Sequence, residues 1–303
     1  MYVGLSEDQR AILDALDALA RPWQDAPVHD APLVATSAEF EAALGEGGFL
    51  DVAADPDLGT ATAAVVVERL ARLPFAVEAA ARAFFGPVIG GTASPVCLID
   101  GTRTPRMVRH LTAGATVIVV EDAGVTCFTA SDSQLRAEPE SLFAFPMATL
   151  LDIPAQRAAL TITPDEARTR WRAAVAAEAA GLLAAALAST CSHLSEREQF
   201  GRKLATFQAL RHRLAEAQVR TNGLYWMAMK AAATLDPADA AMAVWHAQES
   251  ARVCVYDFHQ FLGAMGMTLE HPLHFWTYRL KALVGELGGR GANAAAAADA
   301  IWG

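Results

Sequence analysis

Residues 197–208 read REQFGRKLATFQ, and this stretch decides the fold because it separates two long helical segments. It places one arginine, an aromatic residue followed by glycine, and one glutamine around the break: Arg197, Phe200, Gly201 and Gln208. Glycine tolerates left-handed backbone conformations that other residues avoid, so the aromatic-glycine pair is typical of a tight turn. The sequence therefore predicts that one helix ends just before this stretch and that the next begins within it.

Helical segments continue on both sides of this turn. The preceding helix begins with TPDE, in which threonine is the N-cap, proline takes the first helical position and glutamate closes a capping box; it is predicted over 163–192. The following helix, 206–235, repeats apolar residues at three-four spacing, and further helices are expected at 236–262 and 272–287. Four helices joined by short loops indicate a four-helix bundle over residues 163–303.

The first bundle helix contains a run that is long enough to cross a membrane. Residues 173–190 are mostly alanine, however, and include Glu178. A carboxylate is costly in the centre of a bilayer, so the run is better explained as a buried bundle helix. We expect no membrane span.

The first 85 residues are predicted to form a small helical domain. Ser6 opens its first helix with a capping box, and Thr36 is the expected cap of the second. A third helix is expected at 60–73, before a proline.

A small β module is predicted over residues 86–162, where glycine and proline interrupt the chain. Its candidate strands are rich in β-branched and other apolar residues. They lie at 96–99, 116–120, 125–129, 149–153 and 158–162. The predicted fold class is therefore mainly α, with a small β module between two helical domains.

Composition limits the possible functions. Hydrophobic residues make up 53% of the 303 residues, which favours a large core and apolar surface left for a partner. A net charge of -10 without a cluster of basic residues disfavours nucleic acid as a ligand. Scattered cysteines and the absence of a basic-apolar leader at the N-terminus lead us to expect a cytoplasmic protein.

A metal site is not expected. His271 and His274 have ligand-like spacing, but no cysteine or third histidine lies near them in the sequence. We therefore interpret them as histidines on a helix surface.

Arg197, Phe200, Gly201 and Gln208 together match the RxxFG motif and downstream glutamine of the acyl-CoA dehydrogenases, a family that the last third of this chain resembles. Residues 177–181, AEAAG, are also similar to the small-residue helix crossing before that motif. The resemblance implies an N-terminal helical domain, a middle β domain that is truncated here, and a C-terminal four-helix bundle. In the family, the motif and the glutamine reach across a subunit interface to the FAD of the neighbouring chain. A guanidinium suits its pyrophosphate because it forms planar, charge-assisted hydrogen bonds.

A second match lies in HQFLGAMGM. Gln260, Gly263 and Gly266 match the family's Q-x-x-GG-x-G turn, with Ala264 in place of the second glycine of the pair. The resemblance implies that Gln260 and Gly263 also contact FAD, since glycine lets backbone approach a cofactor closely.

Simpler roles remain open for two of these residues. Arg197 could pair with Glu178 or Glu198 on a helix surface, and Gln260 could be an ordinary helix cap.

The catalytic base of the family has no clear counterpart. The reaction needs a carboxylate that removes a proton from the α carbon of the thioester. The two positions where family members carry it fall at Leu287 and at about Trp171. Glu286 lies one residue from the first position and Glu166 five before the second, and Glu286 is the better candidate base.

Residues 86–162 also lack the TEP…GSD segment with which the family holds its own flavin ring. The resemblance thus implies a shortened subunit of a bacterial heteromeric acyl-CoA dehydrogenase, which lends Arg197, Gln208 and Gln260 to FAD held mainly by a complete acyl-CoA dehydrogenase-like partner. Its implied substrate is an acyl-CoA thioester, such as a steroid side-chain CoA ester, and its electron acceptor is an electron-transfer flavoprotein. Two alternatives remain: a self-sufficient homodimeric enzyme that uses Glu286, and a non-catalytic interaction protein.

Overall fold

A computed structural model describes residues 4–27, 32–91, 94–101 and 107–303. The described chain is mainly helical, and small sheets lie between an N-terminal group of helices and a C-terminal bundle. This arrangement confirms the predicted fold class.

The N-terminal helices are α1 Glu7–Ala20, α2 Ala38–Glu46, α3 Gly59–Ala71 and α4 Ala80–Ile89. The predicted capping box of α1 is present, since the Ser6 hydroxyl accepts from the Gln9 amide across 3.1 Å. The predicted cap of α2 was wrong: Ser37, rather than Thr36, accepts from the Phe40 amide across 3.2 Å. Ser37 has the extended backbone directly before the first turn, so its hydroxyl reaches the third helical amide. Helix α4 runs across residue 85, the predicted end of the helical domain.

The strands between the helical parts are β1 Val96–Asp100, β2 Met107–Arg109, β3 Thr116–Glu121, β4 Gly124–Thr129, β5 Leu135–Ala137, β6 Met147–Leu150 and β7 Ala158–Ala159. One sheet has the order β1-β3-β4-β7, with β1 parallel to β3, and another has the antiparallel order β2-β6-β5. The five predicted strands correspond to β1, β3, β4, β6 and β7. The short strands β2 and β5 were not predicted, because each carries an arginine among only three residues.

The C-terminal helices are α5 Pro164–Glu196, α6 Gln208–Thr234, α7 Pro237–Leu262, α8 Leu273–Val284 and α9 Gly289–Trp302. A two-strand hairpin, β8 Glu198–Gln199 with β9 Arg202–Lys203, connects α5 to α6. The predicted capping box of α5 is present at Thr163 and Glu166. Helix α9 was not predicted, because it is largely an alanine run without an apolar period.

Helix α5 lies at the centre of the fold and packs against α3, α4, α6, α7 and α8. Among the described residues it is the helix long and apolar enough to cross a membrane, but 72% of its most apolar window is buried. That finding agrees with the predicted core helix. The small-residue crossing is also present: a Cβ atom added at Gly181 would lie 2.0 Å from the carbonyl oxygen of Glu68 in α3.

Candidate functional site

The hairpin between α5 and α6 contains the predicted aromatic-glycine turn. Phe200 (φ 56°) and Gly201 (φ 76°) both have left-handed backbones, as a two-residue type I′ turn requires. The turn leaves the Phe200 ring 85% exposed. That ring lies edge-on to Phe207, with centroids 6.1 Å apart, and the Arg202 guanidinium lies 4.0 Å above the Phe207 ring.

Arg197 is fixed by its backbone and free in its side chain. Its amide donates to His193 across 2.9 Å, and its carbonyl accepts from the Leu204 amide across 2.9 Å. The exposed side chain forms no ion pair within the described residues. Glu178, one alternative partner, pairs with Arg109 instead.

Gln208 and Gln260 lie at the same end of the bundle as Arg197. Gln208 is the first residue of α6, which follows the hairpin, and its side chain is exposed. Because a short loop joins α6 to α7, the start of α6 lies beside the end of α7, where an Arg213–Asp257 ion pair connects the two helices. Gln260 is in the last turn of α7 and is also exposed. Its backbone carbonyl accepts from Gly263, and among the described residues its side chain caps no helix end.

The two matched glycines after α7 have different structural roles. Gly263 has φ 59° and ψ -132°, a conformation that is accessible essentially to glycine alone. Gly266 touches the end of α7, since an added Cβ would lie 2.7 Å from the His259 carbonyl oxygen. His259 also donates from Nδ1 to the Gly266 carbonyl across 2.5 Å. Ala264 lies between them and is exposed, so its methyl group is accommodated.

An open groove of about 700 Å³ begins beside Gln260 and Gly263 and runs between α7 and α8. Tyr256 and Met267 on its border are 68% and 75% exposed. Lys281 supplies a cation, with Nζ 4.6 Å above the Tyr278 ring.

The side chains at this end of the bundle are chemically suited to a dinucleotide such as FAD. Arg197 offers a planar set of donors for phosphate oxygens, and the two carboxamides of Gln208 and Gln260 offer both donors and acceptors. A Cβ added at Gly201 or Gly263 would meet no heavy atom within 4 Å, which leaves space for a ligand beside the backbone.

A second polar site lies between the β module and the bundle. Arg109, at the end of β2, donates from Nε to Glu286 Oε1 across 2.6 Å and from Nη1 to Glu178 Oε2 across 2.7 Å. The other oxygen of Glu286 accepts from the indole of Trp171 across 2.7 Å. The side chains of Arg109, Glu178 and Glu286 are 15%, 7% and 17% exposed, so their charges are largely removed from water.

Burial and pairing set the ionisation of this cluster. Burial alone would lower the pKa of Arg109. The negative charges of Glu178 and Glu286 have a larger, opposite effect and hold the pKa of the guanidinium above its ordinary value. Burial raises the pKa of Glu178, which Arg109 partly opposes. Burial also raises the pKa of Glu78 to about 7, although that carboxylate accepts from the amides of Val96, Arg82 and Ala81 across 3.0, 3.2 and 3.1 Å.

The positions considered for a catalytic base are all described. Leu287 has a left-handed backbone (φ 55°) in the turn after α8, and Trp171 donates to Glu286. Glu166 is exposed and closes the capping box with Thr163. Glu286 borders a cavity of about 310 Å³, yet each of its oxygens accepts a hydrogen bond from this chain. Its role as a base stays a prediction.

Sequence reasoning missed Arg109 and Glu78. Arg109 lies 69 positions from Glu178 and 177 from Glu286, so no local spacing connects them. A lone arginine in a short, unpredicted strand gave no signal of this cluster.

The histidines are more buried than predicted. His274 is 2% exposed, so its assignment to a helix surface was wrong. It faces inward because its Nδ1 donates to the His271 carbonyl across 3.0 Å and Nε2 reaches the Pro32 carbonyl. The described part of the chain contains no group of three or more side chains suited to a metal ion.

Comparison with known proteins agrees with this architecture. Residues 166–295 match the family model described as acyl-CoA dehydrogenase, C-terminal domain. IpdE2 of Mycolicibacterium smegmatis, an acyl-CoA dehydrogenase, is 27% identical over 207 residues, which cover 64% of this chain and 66% of that protein. The first curated relatives are matched over only 26% and 66% of their own lengths.

Solved structures share the fold across nearly the whole chain. The Tcur3481–Tcur3483 steroid ACAD superimposes with a TM-score of 0.77 at 22% identity, covering 97% of this chain and 98% of that one. The ChsE4–ChsE5 complex from Mycobacterium tuberculosis gives 0.74 at 18% identity, covering 97% of each chain. The fold is therefore that of an acyl-CoA dehydrogenase with a C-terminal helical bundle. In sequence, the similarity to the acyl-CoA dehydrogenases is to their C-terminal domain, which matches residues 166–295.

Proposed function

We propose that this chain is one subunit of a heteromeric FAD-dependent acyl-CoA dehydrogenase and lends cofactor contacts to a complete partner subunit. The observation that carries the proposal is the grouping of Arg197, Gln208 and Gln260 at one exposed end of the bundle. A guanidinium and two carboxamides that form no ion pair or side-chain hydrogen bond with the described residues suit a pyrophosphate held mainly by another chain.

The cleft between the β module and the bundle, which Glu286 borders, supports a role in which this chain has no catalytic base of its own. Leu287 and Trp171 occupy the positions where the family carries its carboxylate, and neither can take up a proton from a thioester. Glu286 is paired with Arg109 and Trp171. We therefore assign proton removal to the partner.

Two structures with this fold are of protein pairs, Tcur3481–Tcur3483 and ChsE4–ChsE5, and the first is a steroid enzyme. By analogy, we propose that the substrate is an acyl-CoA thioester of the class of steroid side-chain CoA esters. We propose an electron-transfer flavoprotein as the electron acceptor. Bound FAD would supply the hydride acceptor for α,β-dehydrogenation. In this chain Arg197 would neutralise phosphate charge, while Gln208 and Gln260 would orient the dinucleotide.

Co-expression with an acyl-CoA dehydrogenase gene adjacent to this one tests the proposal. We expect a colourless chain alone and a yellow complex with less than one FAD per polypeptide, measured by absorbance and protein mass. Failure of the two chains to associate would contradict the proposal. A yellow, active chain without a partner would favour the homodimeric enzyme, and a colourless complex would favour the interaction protein.

A further inference from the structure

The ion cluster around Arg109 connects parts of the chain that are far apart in sequence. Arg109 comes from the β module, Glu178 from the middle of α5, and Glu286 from the turn after α8. Both carboxylates lie within 2.7 Å of the guanidinium, and Phe145 lies 5.3 Å beneath it. One side chain of the β module is therefore held by two elements of the bundle.

We propose that Arg109, Glu178 and Glu286 form an intramolecular latch that holds the β module against the bundle. Within this latch Glu286 is a positioning residue: it fixes the turn after α8 against Arg109 and Trp171. The latch uses only contacts inside this chain, so the proposal is independent of the cofactor-lending role.

The geometry gives the latch its strength. A buried guanidinium that loses a carboxylate remains in the interior as an uncompensated charge, which is far more costly than the loss of an exposed pair. The two carboxylates share one guanidinium through charge-assisted hydrogen bonds of 2.6 and 2.7 Å. Opening the cleft would separate all of these charges at once.

The turn that carries Glu286 is held from the opposite side as well. Leu287, Gly288 and Gly289 have positive φ of 55°, 82° and 74°, and at Leu287, which is not a glycine, this conformation is strained and has to be stabilised by surrounding contacts. Gln248 of α7 supplies such contacts by donating from Nε2 to the carbonyls of Leu283 and Glu286, each across 3.1 Å. The turn is thus fixed between α7 and the latch.

A surface contact between the same two parts of the chain offers a matched control. Arg168 of α5 pairs with Asp122 in the β3–β4 turn across 2.5 Å, but Asp122 is 83% exposed. Exposed pairs contribute little and are screened by salt. Both arginines join the β module to the bundle, but Arg109 pairs with two buried carboxylates and Arg168 with exposed ones.

The first experiment compares Arg109→Met with Arg168→Met in the full chain by thermal unfolding. We expect Arg109→Met to lower Tm by roughly 10 °C and Arg168→Met to change it by about 2 °C or less. Adding 1 M NaCl to the unmodified protein should leave the ion pairs of Arg109 intact, because salt screens exposed ion pairs much more than buried ones. Equal effects of the two substitutions would overturn the proposal.

The positioning role of Glu286 has separate readouts. Glu286→Gln should raise hydrogen exchange in the 285–289 turn and in β2 together, and should alter the fluorescence of Trp171, identified by comparison with Trp171→Phe. In a double-mutant cycle, the variant with both Arg109→Met and Glu286→Gln should show a smaller loss of Tm than the sum of the two single losses. Either substitution alone already breaks the ion pair between these two residues.

Hydrogen exchange of the unmodified chain keeps the proposal testable if Arg109→Met does not fold. Amides of β2 and of the 285–289 turn should open in one cooperative unit. Independent opening of the two would contradict the latch.

Discussion

The indole nitrogen of Trp171 lies 2.7 Å from Oε2 of Glu286, across 115 positions of sequence. The family resemblance predicts one position for a catalytic carboxylate at about Trp171 and the other at Leu287, which directly follows Glu286. The two places, which are distant in the chain, are therefore neighbours in the fold. In this chain a hydrogen bond connects them.

Trp171→Phe tests the strength of that contact. A hydrogen bond to a charged acceptor contributes about 1.5–3 kcal/mol, so urea unfolding should show a loss in that range. Trp23→Phe is the control, because the Trp23 indole donates across 3.0 Å to a neutral hydroxyl, that of Ser37. A larger loss for Trp23→Phe would contradict the charged hydrogen bond at Glu286.

Arg197→Ala should weaken FAD retention in the heteromeric complex while the two chains remain associated. The lost guanidinium removes charge-assisted hydrogen bonds to phosphate, and about a tenfold faster release of FAD would correspond to 1.4 kcal/mol. Arg21→Ala is the matched control, since Arg21 is also exposed and has no ion pair in the described structure. Flavin release followed by fluorescence measures both variants, and identical rates would contradict the assigned contact.

Gly181→Ala should destabilise the fold strongly. The new Cβ would lie 2.0 Å from the Glu68 carbonyl and 2.8 Å from the Cβ of Ala71, so α3 would have to move away from α5. We expect a loss of about 3 kcal/mol or more in urea unfolding. Gly223→Ala serves as control: its Cβ would meet His246 Nε2 at an ordinary 3.5 Å, and alanine favours a helix by about 0.5–1 kcal/mol. Similar losses for both would show that α3 can adjust.

The raised pKa of Glu78 predicts a pH dependence of stability. Its ordinary pKa is 4.5 and its pKa in the folded chain is about 7, so the folded state binds the proton more tightly. The resulting stabilisation is complete below pH 4.5 and is lost as the pH rises through about 7, with a slope of up to about 1.4 kcal/mol per pH unit. Unfolding by urea at pH 5 to 8 should show this fall in stability up to about pH 7 and a plateau above it in the natural chain relative to Glu78→Gln. Parallel curves for the two proteins would contradict it.

Much of the fold was predictable because its signals are local. The capping boxes at Ser6 and Thr163 each mark a helix start within four residues. The turn at Phe200 and Gly201 depends on the left-handed backbone that these two residues adopt. The three-four apolar spacing of α6 indicated a bundle helix in the same way. Ser37 was missed because two adjacent hydroxyl residues offered the same cap.

The cluster at the cleft could not be predicted in the same way. Arg109, Glu178 and Glu286 are brought together only when the β module folds onto the bundle, and their individual surroundings in the sequence are ordinary. Helix α9 was missed because alanine has high helix propensity but gives no sign of which face is buried. The candidate cofactor-binding residues, in contrast, were predicted from motifs within two short stretches, 197–208 and 260–266, and their role stays a prediction.

Helix α5 carries Glu178 near its middle and ends at Arg197, so these two side chains are separated by roughly 28 Å of rigid helix, at 1.5 Å per residue. Substitutions that accumulate around one of them need not disturb the other. The buried ion cluster and the exposed end of the bundle can therefore be altered separately, although one continuous helix links the two.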